Sequence, residues 1–118
     1  LYARSRLGMA QMVKHLRKGN VLAMLTDQHM NNGELLQFFG LPAYTALSAA
    51  QLALKYDALL VPVYAIRQSD GMTFRVEVQA PIAHSDKITM TQVLNDSLEA
   101  VIRAQKGQWL WTHRRWKK

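Results

Sequence analysis

Met9, Met12, Val13 and Leu16 recur at i, i+3, i+4 and i+7, which predicts an amphipathic helix with one apolar face. Lys14, Arg17 and Lys18 sit toward its end, where cations suit the helix dipole, and Gly19 supplies a stop. Residues 21–25, VLAML, are then apolar without interruption, the pattern of a buried strand. Residues 26–44 lose all periodicity, with a turn at Asn31, Asn32 and Gly33 and an apolar knot at residues 38–42. A second helix is expected over residues 45–56, with Leu47, Ala50 and Leu54 on one face. Beside them Ala46, Ala49 and Ala53 form a small-residue ridge that would let a sheet approach closely.

Residues 59–67, LLVPVYAIR, read as another apolar strand, bulged or locally at an edge because Pro62 cannot donate to a ladder. Ser69, Asp70 and Gly71 signal a hairpin. After it Phe74, Val76 and Val78 alternate with Arg75, Glu77 and Gln79, a strand with one wet face. The last helix is expected to start at Thr89 with a capping box to Gln92. Its buried stripe would be Leu94, Leu98, Val101 and Ile102, and Gly107 would end it. The predicted order is α-β-α-β-β-α: a single domain over residues 1–118, α/β in class, with a mixed β-sheet covered by helices. Three strands are few for such a layer, which points to missing sheet.

Charge changes this picture more than composition does. The 118 residues are 49% hydrophobic and 19% charged, a globular balance. Fifteen Lys and Arg against eight Asp and Glu give +7, with a pI near 10.1, which favours a polyanionic partner. The absence of cysteine excludes disulfides, thiolate metal sites and cysteine nucleophiles. The four histidines are scattered, with no His-x-x-x-His pair for a zinc helix. No apolar run reaches the roughly 18–20 residues that a membrane span requires.

Candidate chemistry concentrates after the first predicted strand, where open α/β sheets place ligands. Asp27 stands at the strand tip, able either to cap the loop or to serve a site. Gln28 follows it. His29 and Glu34 have the spacing of a base and its orienting carboxylate, although polar loops contain such pairs by chance. Ser48 lacks a nucleophile elbow, and no glycine-rich phosphate loop occurs. Arg67 and Arg75 flank the hairpin, where they could meet an anion or remain solvated. The chain closes on QWLWTHRRWKK. Trp109, Trp111 and Trp116 among Arg114, Arg115, Lys117 and Lys118 could stack on nucleic acid, anchor at a lipid headgroup layer, or pack inward while the cations stay wet.

Taken in order, these pieces resemble a known family. Asp27 with Gln28, then Phe38, Phe39 and Gly40, Pro42 with Ala43, a small-residue helix and a Val-Pro strand lead to Gln108, Trp109, Trp111, His113, Arg115 and Trp116. This is similar to the carboxyl-terminal half of the bacterial lipid A biosynthesis acyltransferases, the late lauroyl or myristoyl transferases. The resemblance implies a glycerolipid-acyltransferase-like fold at the cytoplasmic face of the inner membrane. It also implies transfer of a fatty acyl chain from acyl carrier protein to a phosphorylated lipid A precursor, without cofactor. The family's His-x-x-x-x-Asp/Glu pair and its amino-terminal membrane helix precede the Asp-Gln loop, and neither is in these residues. His29 and Glu34 match that spacing at the wrong place in the order. The chain is therefore expected to be the carboxyl-terminal part of a longer acyltransferase, inactive alone. By the same resemblance Asp27 and Gln28 lie near the active site. His113 and Arg115 would tie the tail to the sheet edge, leaving Arg114, Lys117 and Lys118 for lipid phosphates at an anionic membrane surface.

Two other classes remain open. A basic nucleic-acid-binding module would bind single strands with steep salt dependence, but its cations would not cluster at one end, and no nucleic acid is expected. A non-catalytic interaction domain would cover its unpaired sheet edge with a second copy, as a homodimer.

Overall fold

A computed structural model describes residues 6–111 and 114–116. Its elements are α1 (Arg6–Arg17), β1 (Glu34–Phe38), β2 (Leu41–Thr45), α2 (Ser48–Lys55), β3 (Val63–Arg67), β4 (Phe74–Val78) and α3 (Lys87–Ala104). A 3-10 turn, Lys106–Gln108, closes the series. The α/β class is as the sequence predicts. The strands, however, form two separate antiparallel hairpins, β1–β2 and β3–β4, rather than one mixed sheet. The order becomes α-β-β-α-β-β-α.

Two sequence expectations change places. Residues 21–25, expected as a buried strand, join no ladder among the described residues. The region expected to be irregular holds the first hairpin instead. In β1–β2, Phe38 pairs with Leu41 across a two-residue turn in which Phe39 and Gly40 both take positive φ, 54° and 73°. Such turns match the right-handed twist of the strands, but usually recruit Asn and Gly. A bulky residue there is strained. Phe39 is held by the Glu99 carboxylate, which accepts from its N–H, and by the Arg103 guanidinium 4.7 Å above its ring. Pro42 is tolerated because β2 pairs only with β1, so its other edge needs no donor.

α3 joins the two hairpins. It begins earlier than Thr89: Asp86 is the N-cap, accepting from the Thr89 N–H at 2.8 Å and the Thr89 hydroxyl at 2.7 Å. Gln92, expected to serve the cap, instead donates to the Gln37 carbonyl and accepts from its N–H, at 2.9 and 3.0 Å. Its amide thus binds β1 as another strand would. Met90, Thr91, Asn95 and Ile102 are the buried residues of α3, while Leu94, Leu98 and Val101 are half-buried. The stripe is rotated from the one expected because α3 meets β1 on one side and α2 on another.

Leu36 and Phe38 point inward from β1, opposite Ala43 and beside Thr45 of β2. On β3–β4 the alternation is as predicted, but the open side is the apolar one. Phe74, Val76 and Val78 are exposed, while Ile66 is buried and Glu77 half-buried. Arg67 lies over the Phe74 ring at 5.4 Å, and Arg75 pairs with Glu77 at 2.8 Å. Asp70 organises the turn between these strands, accepting from the N–H groups of Met72 and Thr73.

Candidate active-site region and docked tail

The tail folds back onto the first hairpin. Trp116 stacks on Phe38 with ring centroids 5.5 Å apart, and its indole N–H donates to the Phe38 carbonyl at 3.0 Å. Trp109 meets the same ring edge-on at 5.6 Å and Trp111 at 4.8 Å. With Ile102 and Ala43 these rings make one of the two apolar cores. Gln108 donates to the Arg67 carbonyl and accepts from its N–H, so the tail also closes the end of β3. Trp111 stays half exposed, its indole N–H donating to the Lys106 carbonyl. Arg114 is exposed, while His113, Lys117 and Lys118 lie outside the described residues.

Arg115, unlike its exposed neighbour Arg114, is completely buried. One guanidinium nitrogen donates to the Tyr44 carbonyl at 2.7 Å and another to the Thr45 hydroxyl at 2.9 Å, with the Phe38 ring 5.3 Å away. Its Nε has no partner among the described residues. Burial lowers the guanidinium pKa, and the negative charge of Asp27 opposes that shift. An arginine nevertheless keeps its proton at neutral pH. Such a buried cation is costly to desolvate, and its bonds to neutral acceptors offset part of that cost.

Asp27 is half-buried at the end of the extended segment, on the rim of an apolar trough enclosing about 760 Å³. Residues 19–27 and 56–64 line it together with Ala49, Ala53, Leu94 and Leu98. Tyr64 lies on the same rim. Its hydroxyl bonds Ser97 at 2.8 Å, and Ser97 donates to Gln79 at 2.6 Å. Burial raises the Tyr64 pKa, the Ser97 bond lowers it, and Asp27 adds a smaller upward push. Asp27 and Tyr64 thus both line the trough, whereas Arg115 is not among its lining residues. Asn95, which also lines the trough, reaches the Gln37 carbonyl and Thr45 hydroxyl.

The other predicted residues stand apart from this centre. Gln28 is exposed. His29 bonds the Asn31 side chain at 2.8 Å and meets the Tyr44 ring edge-on at 6.0 Å. Glu34 is exposed at the start of β1, paired across the ladder with Thr45. Among the described residues no group of three His, Cys, Asp or Glu could hold a metal ion. A second cavity of about 440 Å³, lined by Pro62, Pro81 and Ser97 among others, has no ionisable side chain and offers no acid or base. Sequence reasoning missed Tyr64 and Asn95, gave Gln92 a capping role instead of its bond to β1, and named Gln108 only within the family signature. The only available signal was that each is polar on an element with an otherwise apolar face.

An aromatic tail locked on a hairpin and an apolar trough that reaches Asp27 characterise this α/β domain. The chain belongs to the bacterial lipid A biosynthesis acyltransferase family, whose pattern matches residues 2–118. It is also similar to the phosphatidylinositol mannoside acyltransferases of two Mycobacterium tuberculosis strains, CDC 1551 / Oshkosh and ATCC 25618 / H37Rv. Each is 25% identical over 104 residues, covering 87% of this chain and 33% of the relative. The chain thus spans about a third of the length of the curated relatives it matches. No helix among the described residues is long and apolar enough to cross a membrane.

Proposed function

We propose that this domain is the acceptor-side portion of an acyltransferase that moves a fatty acyl chain from acyl carrier protein to a hydroxyl of a phosphorylated lipid A precursor. The acceptor hydroxyl attacks the thioester carbonyl, the carbon–sulfur bond breaks, and the hydroxyl proton passes by way of a histidine base to the leaving thiolate. By the resemblance, that base belongs to a His-x-x-x-x-Asp/Glu pair preceding the Asp-Gln loop. His29 lies after Asp27 and is not assigned the role. Asp27 orients polar groups of the loop or acceptor, and Arg115 holds β2 and the loop in place. Arg114, Lys117 and Lys118 face the anionic surface in which the acceptor resides, at the cytoplasmic side of the inner membrane.

What supports this reading is the apolar trough lined by Asp27 and Tyr64 in a chain of the lipid A biosynthesis acyltransferase family. The test is sedimentation of the chain with vesicles of phosphatidylcholine, with and without a bis-phosphorylated lipid A precursor. Binding is expected only with the phosphorylated lipid and should weaken as salt shortens the Debye length. Equal or tighter binding to a single-stranded oligonucleotide would overturn the reading in favour of a nucleic-acid module.

A further inference from the structure

Asn95 is the most deeply buried polar residue that lines the trough, with 4% of its surface exposed. A side-chain amide donates twice from its nitrogen and accepts at its oxygen. Here the nitrogen is fully engaged: it donates to the Gln37 carbonyl at 3.3 Å and to the Thr45 hydroxyl at 3.4 Å. These two partners leave the amide no choice of orientation. A carbonyl has no proton to give, and the Thr45 hydroxyl gives its own to the Ala43 carbonyl at 2.9 Å while accepting from Arg115 at 2.9 Å. The Asn95 oxygen therefore points away from both, and it has no hydrogen-bond partner among the described residues.

A carbonyl oxygen taken from water without a donor is costly, so its unmet demand shows what the trough would gain from a ligand. Leu94 and Leu98 of α3 line the trough with it, as do Ala49 and Ala53 of α2. Water would supply the donor but leave that apolar lining wet. A fatty carboxylate or an ether brings an apolar chain but no donor, and the carboxylate would also meet Asp27 on the same lining. An apolar chain that bears a hydroxyl complements both the partial negative charge of the oxygen and the lining around it. Tyr64 is the weaker candidate for that proton, because its hydroxyl already bonds Ser97 at 2.8 Å.

We propose that Asn95 is a specificity-determining residue, whose oxygen accepts a hydrogen bond from the hydroxyl of an apolar chain lying in the trough. The proposal rests on the acyl-transfer reading, which requires a hydroxyl-bearing acceptor, and adds the residue that selects it. The proton held at Asn95 is the one a base must remove when the hydroxyl attacks. The bond therefore sorts chains at the binding stage and is given up in the reaction, so it does not lower the barrier.

Nuclear magnetic resonance titration of the isotope-labelled 118-residue chain tests this with two probes, octanol and octyl methyl ether. The ether has the same apolar chain and an oxygen, but no proton to donate. Octanol should bind on the order of ten-fold more tightly than the ether, the loss expected when a buried acceptor stays unpaired. Only octanol should shift the side-chain amide resonances of Asn95, because a bond at the oxygen polarises the attached N–H groups. Asn95→Ala should bring the two affinities together. Damage to the fold alone would weaken both probes alike and leave their ratio as it was. The resonance shift is read on the natural sequence, so it holds even if that variant does not fold. Equal affinities, octanol binding that leaves the Asn95 resonances in place, or a preference that survives Asn95→Ala would each overturn the proposal, as would binding of neither probe. Neither probe carries a phosphate, so failure here leaves the vesicle test standing, and failure there leaves this one.

Discussion

The end of the molecule built on Phe38 and the end built around the trough are made from similar residues and reach opposite states. Around Phe38, two strands pair, α3 and the tail supply side-chain amides to bare strand edges, and three indoles close over the rings. Around the trough, extended apolar segments stand with bare peptide edges, and Val21, Leu25 and Leu59 are 87%, 85% and 76% exposed. What separates the two is hydrogen-bond partners, since hydrophobicity is common to both. An apolar strand becomes core only when something takes its peptide groups.

The sharpest way to break the comparison is to empty the closed end. Phe38→Ala should cost about 3–5 kcal/mol in urea unfolding followed by tryptophan fluorescence, enough to leave much of the chain unfolded. Arg115→Met keeps the apolar stem but strips the donors from Tyr44 and Thr45. A loss of about 2–3 kcal/mol is expected from charge-assisted bonds at a buried site, and Arg115→Lys should restore only part of it. Gly33→Ala probes the entry to the hairpin, because a Cβ there would stand 2.5 Å from the Thr45 carbonyl oxygen. A loss of about 1–3 kcal/mol is expected, since the obstacle is backbone.

Asp86 gives a smaller, pH-dependent effect. Its bonds to Thr89 hold its carboxyl below the usual 3.8. A lowered carboxylate pKa contributes stability that is present above that value and is lost as pH falls through the folded-state pKa. Asp86→Ala should therefore lower the thermal midpoint at pH 7 modestly and flatten its decline in the acid range. Leu25→Ser, in the open region, should change stability by no more than about 0.5 kcal/mol despite replacing a leucine. A loss comparable to that of Phe38→Ala would mean that the trough is closed in solution.

Periodicity made the helices legible: Met12, Val13 and Leu16 mark α1, and the expected cap residues fall within three positions of the observed caps of α3. The β3–β4 hairpin was equally plain from Asp70 and the alternation after it. The β1–β2 hairpin escaped because its turn uses Phe39 where Asn is usual, and because Pro42 argues against a strand unless β2 is known to pair on one side only. At the candidate site, Asp27 was visible from its place after an apolar run. Arg115 drew notice only through the family signature, since nothing local distinguishes it from the neighbouring Arg114. Gln92, Glu99 and Gln108 could not be read, because their partners lie 55, 60 and 41 residues away and a polar helix position looks solvated.

The covering of Phe38 by Trp116 has a consequence for synthesis. The two residues are 78 positions apart, so at ribosomal rates of about 5–20 residues per second the hairpin waits about 4–16 s for its lid. During that interval Phe38 and Phe39 are presented to whatever else is nascent. A premature stop anywhere before Trp116 would make the interval permanent, turning the best-packed part of the finished molecule into a patch that chaperones and proteases recognise.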